Sequence, residues 1–290
     1  MTGPVLITGG AGSMGRLVVN RLVADGKNVR VFDLPVANFS GLEEMPGIEI
    51  AKGDLTDGRD VQDATAGVSA VVHLAAILPP VAEANPELTN RVNVEGTRVL
   101  LQAATETAPD ARFVFSSSVS VYGAGNTSGV VGTNNPVAPD DVYAESKAAS
   151  EALVTASALD WAVVRISGVA IPVFQEPPAA WPFLADQQIE FVHRDDAVSA
   201  LVAAVDSSNA AGKIFNIAGG PTWRMTGAKY VSDYFNLLEV DPEEAVYQAL
   251  PGHFAWYDTA DGQAALGYQN TPYETYLEQI QQAIDVLMGE

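Results

Sequence analysis

The chain contains no cysteine, so disulfides, thiolate nucleophiles and cysteine-ligated metal centres are excluded. Histidine is scarce too. His73, His193 and His253 are isolated from one another, without the short spacings of a metal site, and no metal is expected. Basic residues number 15 against 36 acidic ones, and the net charge is −21. A surface of that sign repels nucleic-acid backbones and anionic lipid, so the expected partner is a small molecule, with no nucleic acid and no membrane. No apolar run is long enough to cross a bilayer. The opening Met1-Thr2-Gly3-Pro4 has neither the basic start nor the apolar centre of an export signal, so a cytoplasmic location is expected.

Apolar residues are plentiful, at 48% of 290, and they come in short runs spread along the chain. That supplies a packed core for one large domain and a smaller appendage. Strands are predicted at Val5–Thr8, Val29–Phe32, Ile48–Ala51, Ala70–Leu74, Phe113–Ser116, Trp161–Ile166 and Lys213–Ile217. Helices are predicted at Ser13–Asp25, Pro86–Thr105, Val142–Leu159 and Asp195–Val205. Continuous apolar strands alternating with helices give an α/β fold, a doubly wound parallel sheet covered on both faces. Four prolines in Ile171–Phe183 block helix and central strand, so this stretch reads as an ordered loop or lid. Helices at Thr226–Leu238, Ala260–Leu266 and Tyr273–Met288 form a small, mostly helical C-terminal part.

The first strand runs into Gly9-Gly10-Ala11-Gly12-Ser13-Met14-Gly15, with glycines at 9, 12 and 15. One glycine makes the tight turn, one lets backbone approach a pyrophosphate, and one lets strand and helix pack closely. The helix N-terminus then offers free N–H groups and a favourable dipole to the anion. The second strand ends in Asp33, placed to bind a ribose 2′-hydroxyl and to repel a 2′-phosphate, which favours NAD over NADP. Arg16, the one nearby cation, reads as an exposed helix residue.

Tyr143 and Lys147 stand one helical turn apart at the start of a helix and share a face. A lysine ammonium there is expected to lower the phenol's pKa, so that the tyrosine exchanges a hydroxyl proton during hydride transfer. The fifth strand ends in Ser116-Ser117-Ser118, at the sheet edge where such folds bind ligands. A hydroxyl there is suited to hydrogen-bond a developing alkoxide.

Taken together, these motifs resemble the extended short-chain dehydrogenase/reductase family, the NAD-dependent epimerase/dehydratase-like group. The matching runs are TGGAGSMG, Asp33, Gly53-Asp54-Leu55, His73-Leu74-Ala75-Ala76, Asn93-Val94-Glu95-Gly96-Thr97, FSSSVSVYG, YAESK, FVHRDD at 191–196 and FNIAGG at 215–220, through most of the first 220 residues. The resemblance implies a Rossmann-type domain over 1–166, with 191–218 returning to it. Segments 167–190 and 219–290 would form the substrate-binding part. It implies Tyr143 as acid/base, Lys147 as its activator and ribose ligand, and Ser118 orienting the substrate hydroxyl. Asp54 and Leu55 would contact adenine, Leu74, Ala75 and Ala76 the ribose side. Gly9, Gly12, Ser13, Met14, Gly15, Asn93 and Ser116 complete the cofactor set. Without the resemblance, Asn93 and FVHRDD read as structural.

The sequence departs from the family at three places. Val119 and Ser120 stand where its dehydratases carry an Asp-Glu pair, so dehydration is disfavoured. Arg165-Ile166-Ser167-Gly168 lacks the asparagine of sugar-nucleotide enzymes. The stretch from Arg165 to Phe191 is too short for their extra helix and strand, so a smaller substrate, or one without a nucleotide, is expected. Candidate substrate contacts are Leu78, Ser118, Ser120, Ser167, Phe174 and Trp181, the two aromatics being equally suited to plain core roles. The expected activity is an NAD-dependent oxidoreductase or epimerase acting on a sugar, polyol or hydroxy-carbonyl compound. The alternatives are a non-catalytic NAD-binding sensor, disfavoured because Tyr143 and Lys147 are both present, and a scaffold with an empty pocket. The family's habit of pairing through two long helices makes a homodimer the expected state, with Ala144, Ala148, Ala149 and Ala152 as a small-residue face.

Overall fold

The structure, a computed structural model, describes residues 3–124 and 129–289. Seven strands, β1 (Val5–Thr8), β2 (Val29–Asp33), β3 (Ile48–Lys52), β4 (Ala70–His73), β5 (Arg112–Ser118), β6 (Asp160–Ile166) and β7 (Lys213–Ile217), form one sheet. Their order is β7-β6-β5-β4-β1-β2-β3, and every pairing is parallel. The order reverses between β1 and β4, and the crevice beyond their C-terminal ends is where such sheets hold ligands.

The strands are apolar on both sides because both sides are covered. Val5, Ile7, Val29 and Val31 pack with Val18 and Leu22 of α1 (Ser13–Ala24) and with a later helix, Arg194–Asp206. Leu6, Val71, Phe113 and Val163 face the other way, toward α2 (Gly58–Thr65), α3 (Gly96–Thr107) and α4 (Val142–Thr155). The side alternates residue by residue, as a pleated strand requires.

A second core lies in the C-terminal part. Trp181, Phe183, Trp223, Tyr230, Tyr273 and Tyr276 cluster around the helices Gly227–Leu237 and Tyr273–Met288. The stretch from Ile171 to Phe183 contains no helix, as its prolines require, and among the described residues forms one isolated bridge, Trp181–Tyr247.

Several elements differ from expectation. The helix expected over Pro86–Thr105 is one turn of α-helix (Pro86–Thr89), a π-helical segment (Asn90–Glu95) and then α3. The helix expected to end at Leu159 stops at Thr155. Helix α2 carries only two apolar residues along its buried side, Val61 and Ala64, too weak a pattern to detect; Asp57 caps it by accepting from the Arg59 and Asp60 N–H groups.

Candidate active site

The glycine turn is built by steric necessity. Gly9 has φ +68°, and a Cβ there would lie 2.9 Å from the Ala75 nitrogen. A Cβ on Gly15 would lie 2.2 Å from the Gly9 carbonyl oxygen, so α1 approaches the turn only because that atom is missing. Gly12 is the N-cap of α1 and provides no side-chain cap, which leaves the first-turn N–H groups without a capping side chain. The Asp33 carboxylate at the end of β2 accepts from the Ala11 N–H at 3.0 Å and the Leu34 N–H at 2.9 Å, fixing it beside the turn. Arg16 is not a free surface cation: its guanidinium donates to the carbonyls of Ala11, Asn38 and Ser40.

These residues open onto a cleft of about 530 Å³. Gly9, Gly12, Ser13, Met14, Gly15, Asp33, Asp54, Leu55, Leu74, Ala75 and Ala76 all line it. Leu78, expected on the substrate side, lines this same cleft, as do Leu88 and Arg91. Leu55 sits against Gly96, where a Cβ would be 2.8 Å from its side chain. Asn93 lies behind the wall. Its amide accepts from the Ile77 N–H at 2.7 Å and donates to the Ile77 carbonyl at 3.0 Å and the Ser146 hydroxyl at 2.9 Å. Asn93 thus ties the cleft floor to α4, the structural part that the residues alone suggested.

A buried chain of hydrogen bonds supports that floor. The Thr8 hydroxyl accepts from the Leu74 and Ala75 N–H groups, each at 3.2 Å, and so directs its own proton to His73 Nδ1 at 2.7 Å. Nε2 then carries the imidazole proton and donates to the Thr97 hydroxyl at 2.9 Å, which donates to the Asn93 carbonyl at 2.5 Å. Burial, helped by the Lys147 charge, pushes His73 down to about 3, so the ring is neutral at any working pH.

Ser118, Tyr143 and Lys147 come together at the open end of β5. Ser118 lies near enough to the Tyr143 phenol to favour its ionised form, and its hydroxyl accepts from the Ser120 N–H at 3.1 Å. The Lys147 ammonium donates to the Ser116 carbonyl at 2.8 Å and lies 5.0 Å from the centre of the Phe115 ring and 5.7 Å from that of Tyr143. Ser116 therefore acts through its backbone. The expected lowering of the tyrosine pKa is not found. Burial and the Asp141 carboxylate push the phenol up, and the nearby Ser118 hydroxyl only partly offsets them. Burial pushes Lys147 down to about 8, against the opposing pull of Glu151.

The first turn of α4 is held by two acids, one distant in the chain and one adjacent to the helix. Glu83, on the short helix Val81–Ala84, accepts from both the Val142 and Tyr143 N–H groups at 3.0 Å. Asp141 is the N-cap and accepts from the Ala144 N–H at 2.6 Å, a role that an aspartate just ahead of the helix could have signalled. His253, from the C-terminal part, bonds Asp140 at 2.6 Å and lies 3.6 Å from Asp141. Burial pushes Asp140 up, but the Ala124 N–H and His253 outweigh it and hold its pKa low. One turn beyond Lys147, Glu151 accepts from the Ser117 hydroxyl at 2.5 Å and pairs with Arg165 at 2.6 Å; Arg165 also donates to the Tyr122 hydroxyl at 2.7 Å.

The remaining substrate candidates separate. The Ser120 and Ser167 hydroxyls are buried and have no hydrogen-bond partner among the described residues. Phe174 packs away from them, in a hollow with Leu237 and Ile284 that neither Ser118 nor Tyr143 lines. Trp181 is 8% exposed and packs among Phe183, Tyr230, Tyr234 and Phe235 as a core residue.

A parallel sheet with this turn, carboxylate and crevice is a dinucleotide-binding Rossmann fold. The model of the NAD dependent epimerase/dehydratase family matches residues 5–174, and the chain belongs to that family of NAD-dependent oxidoreductases and epimerases. Among relatives, an uncharacterized Sinorhizobium fredii protein, y4nG, is 29% identical, covering 91% of this chain and 74% of the relative. The D-erythronate dehydrogenase of Cupriavidus necator is 37% identical over 52% of this chain and 49% of its own length. The 3-beta-hydroxysteroid dehydrogenase of Mycolicibacterium neoaurum is 35% identical over 52% and 42%. The chain thus spans about half the length of those two dehydrogenases or less. Among solved structures, a short-chain dehydrogenase/reductase superfamily protein from Agrobacterium tumefaciens with bound NAD is 25% identical over 98% of both chains, with a TM-score of 0.81. Among the described residues no helix is long and apolar enough to cross a membrane, and no group of side chains could hold a metal ion.

Proposed function

We propose that this protein binds NAD in the 530 Å³ cleft and interconverts a secondary alcohol and a carbonyl, as a dehydrogenase or an epimerase, on a small hydroxylated substrate. The observation that carries the reading is the grouping of Ser118 and Tyr143 with the Lys147 ammonium, 5.7 Å from the centre of the same ring. The residues fit the cofactor: uncapped N–H groups at α1 for the pyrophosphate, Asp33 for a ribose, and Asp54 with Leu55 for the adenine end. NAD, when bound, supplies the hydride acceptor or donor.

Tyr143 carries the proton of the reacting hydroxyl. Its raised pKa keeps the phenol protonated, the form that gives a proton to a forming alkoxide. In the oxidative direction the tyrosine must accept that proton, and Lys147 is the cation that offsets the phenolate. Ser118 orients the reacting oxygen. With valine and serine at 119 and 120, the acid–base pair for dehydration is missing. That two relatives are named as dehydrogenases supports the alcohol–carbonyl reading.

NAD is expected to raise the melting temperature more than NADP does. Tyr143→Phe is expected to keep that shift and lose NADH formation on a panel of polyols, aldonates and cyclic alcohols. Full turnover by Tyr143→Phe would defeat the mechanism. A homodimer through α3 and α4 belongs to the same proposal. Ala149 and Ala152 are exposed there, whereas Ala144 is buried, so the small-residue face is narrower than expected. A monomeric mass in light scattering would refute the dimer.

A further inference from the structure

The C-terminal part holds a second cavity of about 370 Å³ that shares no residue with the dinucleotide cleft. Rings form its walls: Trp181, Phe183, Phe191, Tyr230, Tyr234 and Tyr276. We infer that this cavity binds the uncharged, largely apolar ring portion of the substrate whose hydroxyl reacts at Ser118 and Tyr143. The inference rests on the hydride-transfer function proposed above.

Charge points to an uncharged occupant. No basic residue lines the cavity, and Glu176 is its single acid. A phosphate or carboxylate placed there would lose its water and meet no cation. The tyrosine hydroxyls are already engaged. Tyr234 donates to the Gln175 carbonyl at 2.5 Å and accepts from the Gln175 N–H at 3.1 Å. The Tyr230 and Tyr276 hydroxyls lie 3.3 Å from each other. What these tyrosines offer a ligand is therefore ring surface. At the mouth, Ile171 and Val173 are 38% and 44% exposed, apolar area that gains from being covered. The volume lies at the small end of ligand pockets, suited to a compact fused ring.

Position links the cavity to the reacting end. Ile166 is the register partner of Ser118, and the near wall, Val169 and Ala170, begins three residues further on. Three residues of extended chain span roughly 10 Å. The Phe191 ring stands between them, in the space a side chain on Gly168 would take: a Cβ there would be 2.7 Å away. With the Phe191 ring turned aside, a cyclic alcohol of that length would place its hydroxyl at Ser118 and its hydrocarbon among the rings.

The test uses the NAD-saturated protein with four probes: 2-decalol, a 3β-hydroxysteroid, D-erythronate and UDP-glucose. Tryptophan emission reports the cavity and NADH absorbance reports turnover. At least one of the two ring alcohols is expected to quench emission in the wild type but not in Trp181→Phe. The same alcohol is expected to turn over with a KM at least about tenfold below those of the two anions. Val173→Arg, at the exposed rim, is expected to raise that KM about tenfold. Turnover of an anion with both ring alcohols silent would overturn the inference. So would Trp181-dependent quenching without turnover, or an unchanged KM in Val173→Arg. Stabilisation by NAD is read first and separately: its absence defeats the proposed function itself, whereas its presence with a preferred anionic substrate defeats only the ring cavity.

Discussion

Replacing Glu83 with alanine removes two hydrogen bonds at once from the helix that carries Tyr143. Both N–H donors, on Val142 and Tyr143, belong to the unpaired first turn, and one carboxylate serves them at 3.0 Å. Capping exchanges of this kind cost about 0.5–2 kcal/mol. The negative charge at the helix N-terminus adds about 0.3–1 kcal/mol. Both bonds are solvent-exposed, so water recovers part of the loss, and Asp141 still caps Ala144. A net cost of about 1–2 kcal/mol follows. Glu83→Gln keeps one acceptor and should cost about half as much. Urea unfolding gives the total, and hydrogen exchange at the Val142 and Tyr143 amides localises it. A cost for Glu83→Ala under about 0.3 kcal/mol, with unchanged amide protection, would refute this account of how the helix is held.

Three further outcomes follow from the buried charges behind Tyr143. Lys147 is 4% exposed and held near 8 rather than its ordinary 10.5. Between those two values the unfolded chain holds the extra proton, so the cost of burying this lysine is fully present below pH 8 and fades as pH rises through the window. The stability advantage of Lys147→Met over wild type, measured by urea unfolding at pH 7, 9 and 10, should therefore shrink with rising pH; a constant difference would contradict it. Glu151→Gln leaves Arg165 buried with a weakened partner and should cost about 3 kcal/mol in the same assay. It also removes the charge that holds Lys147 up, so the alkaline limb of activity should move to lower pH; an unmoved limb would count against that coupling.

Much of the fold was legible in the sequence because it rests on local rules. Short apolar runs alternating with helical patterns marked the strands, and the turn at Gly9, Gly12 and Gly15 with Asp33 beyond it marked the crevice. The residues expected at the cofactor line that crevice, apart from Asn93, Ser116, Tyr143 and Lys147, which lie outside its lining. What escaped was set by distance in the chain or by burial. Glu83 meets Tyr143 across 60 positions and His253 meets Asp140 across 113, and nothing near either residue announces the partner. The direction of the Tyr143 shift was misjudged for a related reason. A four-residue spacing places a lysine on the same face, but it does not say that the hydroxyl will be buried beside Asp141 while the ammonium turns to a carbonyl. The π-helical turn at Asn90–Glu95 left no mark on the periodicity.

Asn93 has a consequence for anyone recombining this scaffold. One amide grips both the Ile77 backbone and the Ser146 hydroxyl, and Ser146 in turn donates to the Tyr143 carbonyl at 2.7 Å. The two halves of the crevice are thus geared together. A graft that transplants the loop after β4 without residues 93 and 146 would import a part with no mesh, and the reacting tyrosine would shift with it. Those three segments form a single heritable unit, although 53 positions separate the two side chains that join them.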